Sequence, residues 1–233
     1  MRKIERFREQ CLSSRQEITF LDHGAGSSEH HEHPHIRTVC KTVGAICQGA
    51  SLPYFWSFLL FKLIREFKPV ICMELGTCLG VSTSFQAAAL LLNHHGRIIT
   101  LEGAESLASL SQSHFQTLGL NNIQIVVGNF QDTLAQTLRE QEPVDFVFID
   151  GHHEETATLT HFQQLLSCLQ DTSLVVLDDI SWSEGMKKAW RAIASDAEVK
   201  YSIDTGRMGI CLLDKKIVAK HHVRIPLSPD EGK

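Results

Sequence analysis

The stretch Val70-Ile71-Cys72-Met73-Glu74-Leu75-Gly76-Thr77-Cys78-Leu79-Gly80-Val81-Ser82-Thr83 decides the fold. A short apolar run ends in an acid, two glycines make a turn, and Ser82-Thr83 opens a segment of helical length that reaches Asn93. A run with no polar alternation suits a strand covered on both faces, as in a parallel sheet flanked by helices.

The same unit repeats downstream. Strands are expected at Val70–Leu75, Arg97–Glu102, Ile123–Val127, Val144–Asp150 and Ser173–Asp178, with helices at Ser82–Asn93, Ala104–Leu118, Gln131–Gln141 and Glu154–Leu169. Parallel neighbours need a crossover, and each gap is long enough to hold one. After a further helix near Ser183–Ser195, Val199–Asp204 and Met208–Leu213 are separated only by Thr205-Gly206-Arg207, which is hairpin spacing. Residues 70–233 therefore read as a doubly wound α/β domain whose sheet closes with an antiparallel pair.

Residues 1–69 read as a helical cap without independence. Arg2–Leu12, Ile36–Gln48 and Pro53–Phe67 are helix candidates, with a Gly, Ser, His and Glu-rich loop over Asp22–His35. Ser51 is placed to cap the third helix and Pro53 falls in its first turn. That helix is apolar on more than one face, so burial on two sides is expected, by its own sheet or by a second subunit in a homodimer.

Composition excludes several classes of function. Lys and Arg number 22 against 27 Asp and Glu, a formal net charge of −5. This argues against general nucleic-acid binding, which draws on a basic surface, and against docking on anionic lipid. No run approaches the roughly 18 apolar residues of a membrane span. The charged N-terminus lacks the apolar core of a signal peptide. Seven cysteines without CxxC spacing, several in apolar runs, suit a reduced, cytoplasmic chain.

In such a sheet, ligands bind beyond the carboxyl ends of the strands. Glu74 precedes a turn whose glycines, Gly76 and Gly80, are spaced GxxxG and not as the dinucleotide fingerprint GxGxxG. Glu102 ends the second strand, where an acid can accept both ribose hydroxyls, and Asn129-Phe130 offers a purine an amide and an aromatic face. Asp150-Gly151-His152-His153 and Asp178-Asp179 follow strands four and five. Three carboxylates and two imidazoles are costly to gather without a cation or a catalytic task. Each feature also has a plain structural reading: an ordinary turn, a solvated strand-end acid, a helix-capping histidine. The loop Gly26–His35 carries four histidines and two glutamates that could take zinc or nickel, but it lacks a fixed scaffold and reads as a polar loop. Trp190 is expected to pack its helix on the sheet, with Trp182 nearer a strand end.

Taken together, residues 70 to about 213 resemble the class I S-adenosylmethionine-dependent methyltransferases. The resemblance is to the small bacterial O-methyltransferase-like group with Glu-x-Gly-Thr-x-x-Gly-x-Ser-Thr and Phe-Ile-Asp-Gly-x-His signatures, here Glu74–Thr83 and Phe148–His153. Asp22–Ser27 and Asp178–Ser183 carry the same likeness. It implies a Rossmann-like seven-stranded sheet of order 3-2-1-4-5-7-6, strand seven antiparallel, and methyl transfer to a hydroxyl of a small molecule. It places Gly76 and Gly80 at the methionine part of the cofactor and Glu74 near its amino group, with Thr77, Ser82 and Asp150 also among the cofactor-binding residues. Glu102 would hold the ribose, Gly103, Asn129 and Phe130 would border the adenine, and Asp150 and His153 would face the reacting centre, His153 as base. In metal-dependent relatives, acids after strands four and five hold a divalent cation. Asp150, Asp178 and Asp179 stand there, with Asp179 in place of the usual Asn. Two arrangements follow: bound Mg²⁺, or one carboxylate sharing a proton with His153, the second preferred in the isolated protein. A nicotinamide-dependent reductase and a non-catalytic binding module stay open as other readings, though the missing GxGxxG and the closing hairpin count against the reductase.

Overall fold

The computed structural model describes residues 1–22, 37–141 and 143–227. The chain divides into two units, Met1–Thr137 and Leu138–Lys233. The histidine-rich loop and most of Asp22–Ser27 lie outside the described residues.

The first unit runs α1 (Arg2–Leu12), β1 (Glu17–Asp22), β2 (Arg37–Thr42), α2 (Val43–Ala50), α3 (Tyr54–Phe67), β3 (Ile71–Leu75), α4 (Val81–Asn93), β4 (Arg97–Glu102), α5 (Glu105–Leu118) and β5 (Ile123–Val127). The helix α6 (Phe130–Glu140) crosses into the second unit. Strands β3, β4 and β5 lie side by side in parallel, with Glu74 opposite Thr100 and Glu102 opposite Val127. All of β3 is buried, as its unbroken apolar run predicts.

Two expectations for the N-terminal segment need correction. Ile36–Gln48 is not one helix: Arg37–Thr42 pairs antiparallel with Glu17–Asp22, a strand that the sequence reading left out. The β-branched residues Thr38, Val39 and Thr42 favour a strand once a partner is present, and long-range pairing overrides the local helical pattern. The helix begins only at Val43, where Thr42 caps it by accepting from the Ala45 amide at 3.2 Å. Ser51 does not cap α3; it terminates α2, and Pro53 stands at the start of α3 with no side-chain cap.

Only one face of α3 is buried, through Trp56, Ser57, Leu60, Phe61 and Ile64, while Tyr54 and Phe55 remain exposed. The early helices are knit into this unit. Lys3 donates to the Leu118 carbonyl at 2.9 Å, Phe7 packs on His114, and Ser106 donates to the Thr19 carbonyl. A Cβ at Gly44 would lie 2.7 Å from the Leu12 carbonyl oxygen, so α1 and α2 approach where only glycine fits. Among the described residues no single helix is long and apolar enough to cross a membrane; α2 and α3 reach that length only together, across a bend of 65°.

The second unit runs β6 (Val144–Ile149), α7 (Glu155–Leu166), β7 (Leu169–Leu177), α8 (Glu184–Ser195), β8 (Val199–Asp204), β9 (Gly209–Asp214) and β10 (His221–Arg224). Its strands lie in the order β6-β7-β9-β8-β10. β9 is antiparallel to both β7 and β8, and β10 adds in parallel to β8. The orders within the two units match the expected halves 3-2-1 and 4-5-7-6, antiparallel strand included. The count of seven is one short: β10, four exposed and mostly polar residues, carries almost no strand signal. Trp190 packs as expected, over Gly209, where a Cβ would meet its ring at 2.4 Å. Trp182 is exposed.

Candidate active site

Glu74 sits within β3, fully buried, and both its oxygens are occupied by this chain. Ser82 and Gln86 donate to Oε1 at 2.7 and 2.6 Å, and Thr100 to Oε2 at 2.7 Å, with Thr83 donating to the same oxygen. Thr77 lies 2.6 Å from the Thr100 hydroxyl, which extends the network into the turn. Burial pushes the Glu74 carboxyl up to about 7, and the four donors oppose this without cancelling it. The carboxylate that the resemblance puts near the cofactor's amino group thus ties β3 to α4 and β4, Ser82 bonding it directly and Thr77 joining through Thr100.

The turn itself is shaped by backbone needs. Gly76 has φ +108° and Gly80 φ +79°, conformations that favour glycine. At Gly80 a Cβ would also meet the Phe115 ring at 2.4 Å, so this glycine lets α5 pack against the turn. Beyond it, Glu102 is pinned at the end of β4. The Cys78 amide donates to its Oε2 at 2.8 Å and the Ala104 amide to its Oε1 at 2.9 Å. Gly103 lies in the bend that follows β4. Asn129 accepts from the Gln131 amide at 3.0 Å, opening α6, and Phe130 is the buried first residue of that helix. The first unit thus gathers a glycine turn, a fixed carboxylate and the Asn129-Phe130 corner at the carboxyl ends of β3, β4 and β5.

In the second unit, Asp150 and His153 stand together, with Nε2 3.7 Å from Oδ1. Asp178 is buried, and its carboxylate is gripped by Arg207: Nε lies 3.0 Å from Oδ1 and Nη2 2.8 Å from Oδ2. Nη2 also lies 3.5 Å from Asp179 Oδ1. Burial and the Asp178 charge push the Asp179 carboxyl up, while Arg207 and His153 pull it back. Burial alone would depress Arg207, yet its bonds to Asp178 and the charges of Asp178, Asp179 and Asp150 hold it above its ordinary range. His152, His153 and Asp179 all have φ in the left-handed region, at 67°, 26° and 52°. Strained non-glycine residues of this kind gather where a site demands them.

The expected choice between Mg²⁺ and a shared proton is therefore incomplete. The positive charge among these acids is Arg207, which the sequence reading passed over. The three acids do not fit a divalent ion as they stand, because both oxygens of Asp178 already bind a guanidinium. Among the described residues no three His, Cys, Asp or Glu side chains are arranged to hold a metal ion. A signal for Arg207 was present in the topology. Strand β9 runs antiparallel to β7 and pairs Gly209 with Leu177, so the residues leading into β9 fall beside Asp178.

Residues 73–180 match the family described as Methyltransferase domain. The chain carries a Rossmann-like fold of the kind found in solved O-methyltransferases. Over 110 residues it is 36% identical to a catechol O-methyltransferase of Niastella koreensis, a match covering 46% of this chain and 48% of that one. The mouse catechol O-methyltransferase is 26% identical over 121 residues, covering 51% and 45%. The matched stretch thus spans about half the length of these relatives. Among solved structures, an O-methyltransferase from Bacillus cereus in complex with SAH superposes with a TM-score of 0.61 at 21% identity, covering 72% of this chain and 84% of that one.

Proposed function

We propose that the protein transfers a methyl group from S-adenosylmethionine to a hydroxyl of a small-molecule acceptor. The observation that carries this reading is Glu102, locked by two backbone amides at the end of β4 beside the Gly76 turn, inside the matched methyltransferase segment. A carboxylate fixed in plane and position can accept both hydroxyls of a ribose. Gly76, Gly80, Gly103, Asn129 and Phe130 complete the cofactor side, and Glu74 with Ser82 and Thr77 supports it from beneath.

When bound, the sulfonium cofactor supplies an activated methyl group with a good leaving group. The chain's own task is to align the acceptor oxygen and to take its proton. His153, partly exposed at 28%, is the base in this reading, and Asp150 orients its ring and stabilises the proton it gains. The protein works in the cytoplasm as this reading has it. The partly exposed apolar face of α3, with Tyr54 and Phe55, favours a second copy of the chain as its cover.

Calorimetry with S-adenosylhomocysteine tests the cofactor. Tight binding is expected in the wild type, and Glu102→Ala should weaken it by about 3–6 kcal/mol with the fold intact, because two charge-assisted hydrogen bonds are lost. Binding of NADH in place of S-adenosylhomocysteine would select a reductase instead. His153→Ala should lower turnover by roughly 10²–10⁴-fold with cofactor affinity unchanged. Activity within about threefold of wild type would make His153 a structural residue.

A further inference from the structure

We propose that Arg207 is the resident cation of the acidic strand ends in the second unit, and that the enzyme takes no divalent metal ion there. The inference rests on the methyltransferase reading for its catalytic meaning, and on the geometry for its substance.

Asp178 is 1% exposed, so its charge needs a partner within the protein. Arg207 supplies one in the fork geometry that guanidinium and carboxylate share, with Nε on Oδ1 and Nη2 on Oδ2. The same Nη2 reaches toward Asp179. The turn that carries Arg207 is clamped on every side. The Gly206 amide donates to Asp204 at 2.7 Å, and the Met208 amide donates to the Thr205 hydroxyl at 3.0 Å. Across to the loop after β7, Ser181 donates to the Gly206 carbonyl at 2.6 Å and the Ile180 amide to the Arg207 carbonyl at 2.9 Å. The backbone that presents the guanidinium is thereby fixed against the loop that carries Asp178 and Asp179.

A hard divalent ion needs six or more oxygen ligands. To recruit Asp178 it would have to displace Arg207 from both carboxylate oxygens and then face that guanidinium as a neighbouring like charge. The chain's own cation therefore occupies the place a metal would take. Arg207 acts through the acids it holds, keeping Asp178 and Asp179 ordered beside the Asp150–His153 pair, and is a positioning residue.

The test uses the full-length protein, stripped with EDTA and titrated with Mn²⁺ while the free-ion signal is followed by electron paramagnetic resonance, with thermal melts alongside. The wild type should bind no Mn²⁺ up to millimolar concentration, show no rise in Tm, and keep its methyl transfer in EDTA. Arg207→Ala should gain a Mn²⁺ site from the freed acids, and its Tm should rise with Mn²⁺ by several degrees. Arg207→Gln, which keeps the volume, replaces the alanine variant if that one does not fold. Wild-type protein that binds Mn²⁺ at micromolar concentration overturns the proposal, and so does a folded Arg207 variant that gains no site. The Mn²⁺ titration and the thermal melts do not depend on S-adenosylhomocysteine binding, so failure here and failure of the methyltransferase reading are told apart.

Discussion

Glu74 and Asp178 are equally buried, at 0% and 1% exposure, and the two units meet the cost of that burial by opposite means. The first unit surrounds Glu74 with three hydroxyls and an amide, all neutral. The second sets a guanidinium against Asp178. Four hydrogen bonds spread a charge but do not cancel it, so burial still prevails and Glu74 is driven up to about 7. Asp178 is met instead by one opposite charge in fork geometry.

Titration sharpens this contrast most. Glu74 has a folded value above its ordinary 4.5, so between about pH 4.5 and 7 the folded state binds more protons than the unfolded one. Its contribution to stability is therefore full in acid and is lost as pH rises through that window, by about 3 kcal/mol. Glu74→Gln should remove that slope, and urea unfolding from pH 4.5 to 7.5 would show it; an unchanged slope would mean that the donors, not burial, control the acid. Next in size, Arg207→Ala in EDTA should cost about 2–3 kcal/mol of unfolding free energy, toward the low side for a broken pair because Arg207 is 34% exposed. A loss below about 1 kcal/mol would say that water replaces the guanidinium and that the contrast is false. Smallest is Thr83→Ala, which removes one of four donors to Glu74 and should cost about 1 kcal/mol by the same denaturant measurement.

The core strands and helices were legible because their signals are local. Arg97–Glu102 and Ile123–Val127 are apolar runs between turn residues, and the structure begins and ends them at the residues expected. β1 and β2 were not legible, because each becomes a strand only by pairing with the other across the loop between them. At the candidate site, residue types were readable and their allegiances were not. Glu74 looks in sequence like an acid offered to a ligand, and only the fold shows Ser82, Thr83, Gln86 and Thr100 turned toward it. Arg207 was hidden for a related reason. In the sequence it is a turn residue 29 positions from Asp178, and only the antiparallel pairing of β9 with β7 returns it there.

Strand β10 has a consequence for how the molecule behaves in a crowded solution. An open sheet edge presents unpaired amides and carbonyls on which a second chain can polymerise. Without β10 that edge would be β8. With it, the outermost strand is four residues long, and all four are exposed. His221 lies flat on Tyr201, His222 is bonded to the Ser202 hydroxyl at 2.8 Å, and Arg224 stands 3.6 Å from Asp204. Val223 is the one apolar side chain that strand presents, so a neighbour seeking to extend the sheet meets imidazoles and a guanidinium with little apolar surface to reward the contact. A short, polar, charged strand at a sheet edge is the kind that discourages edge-to-edge pairing.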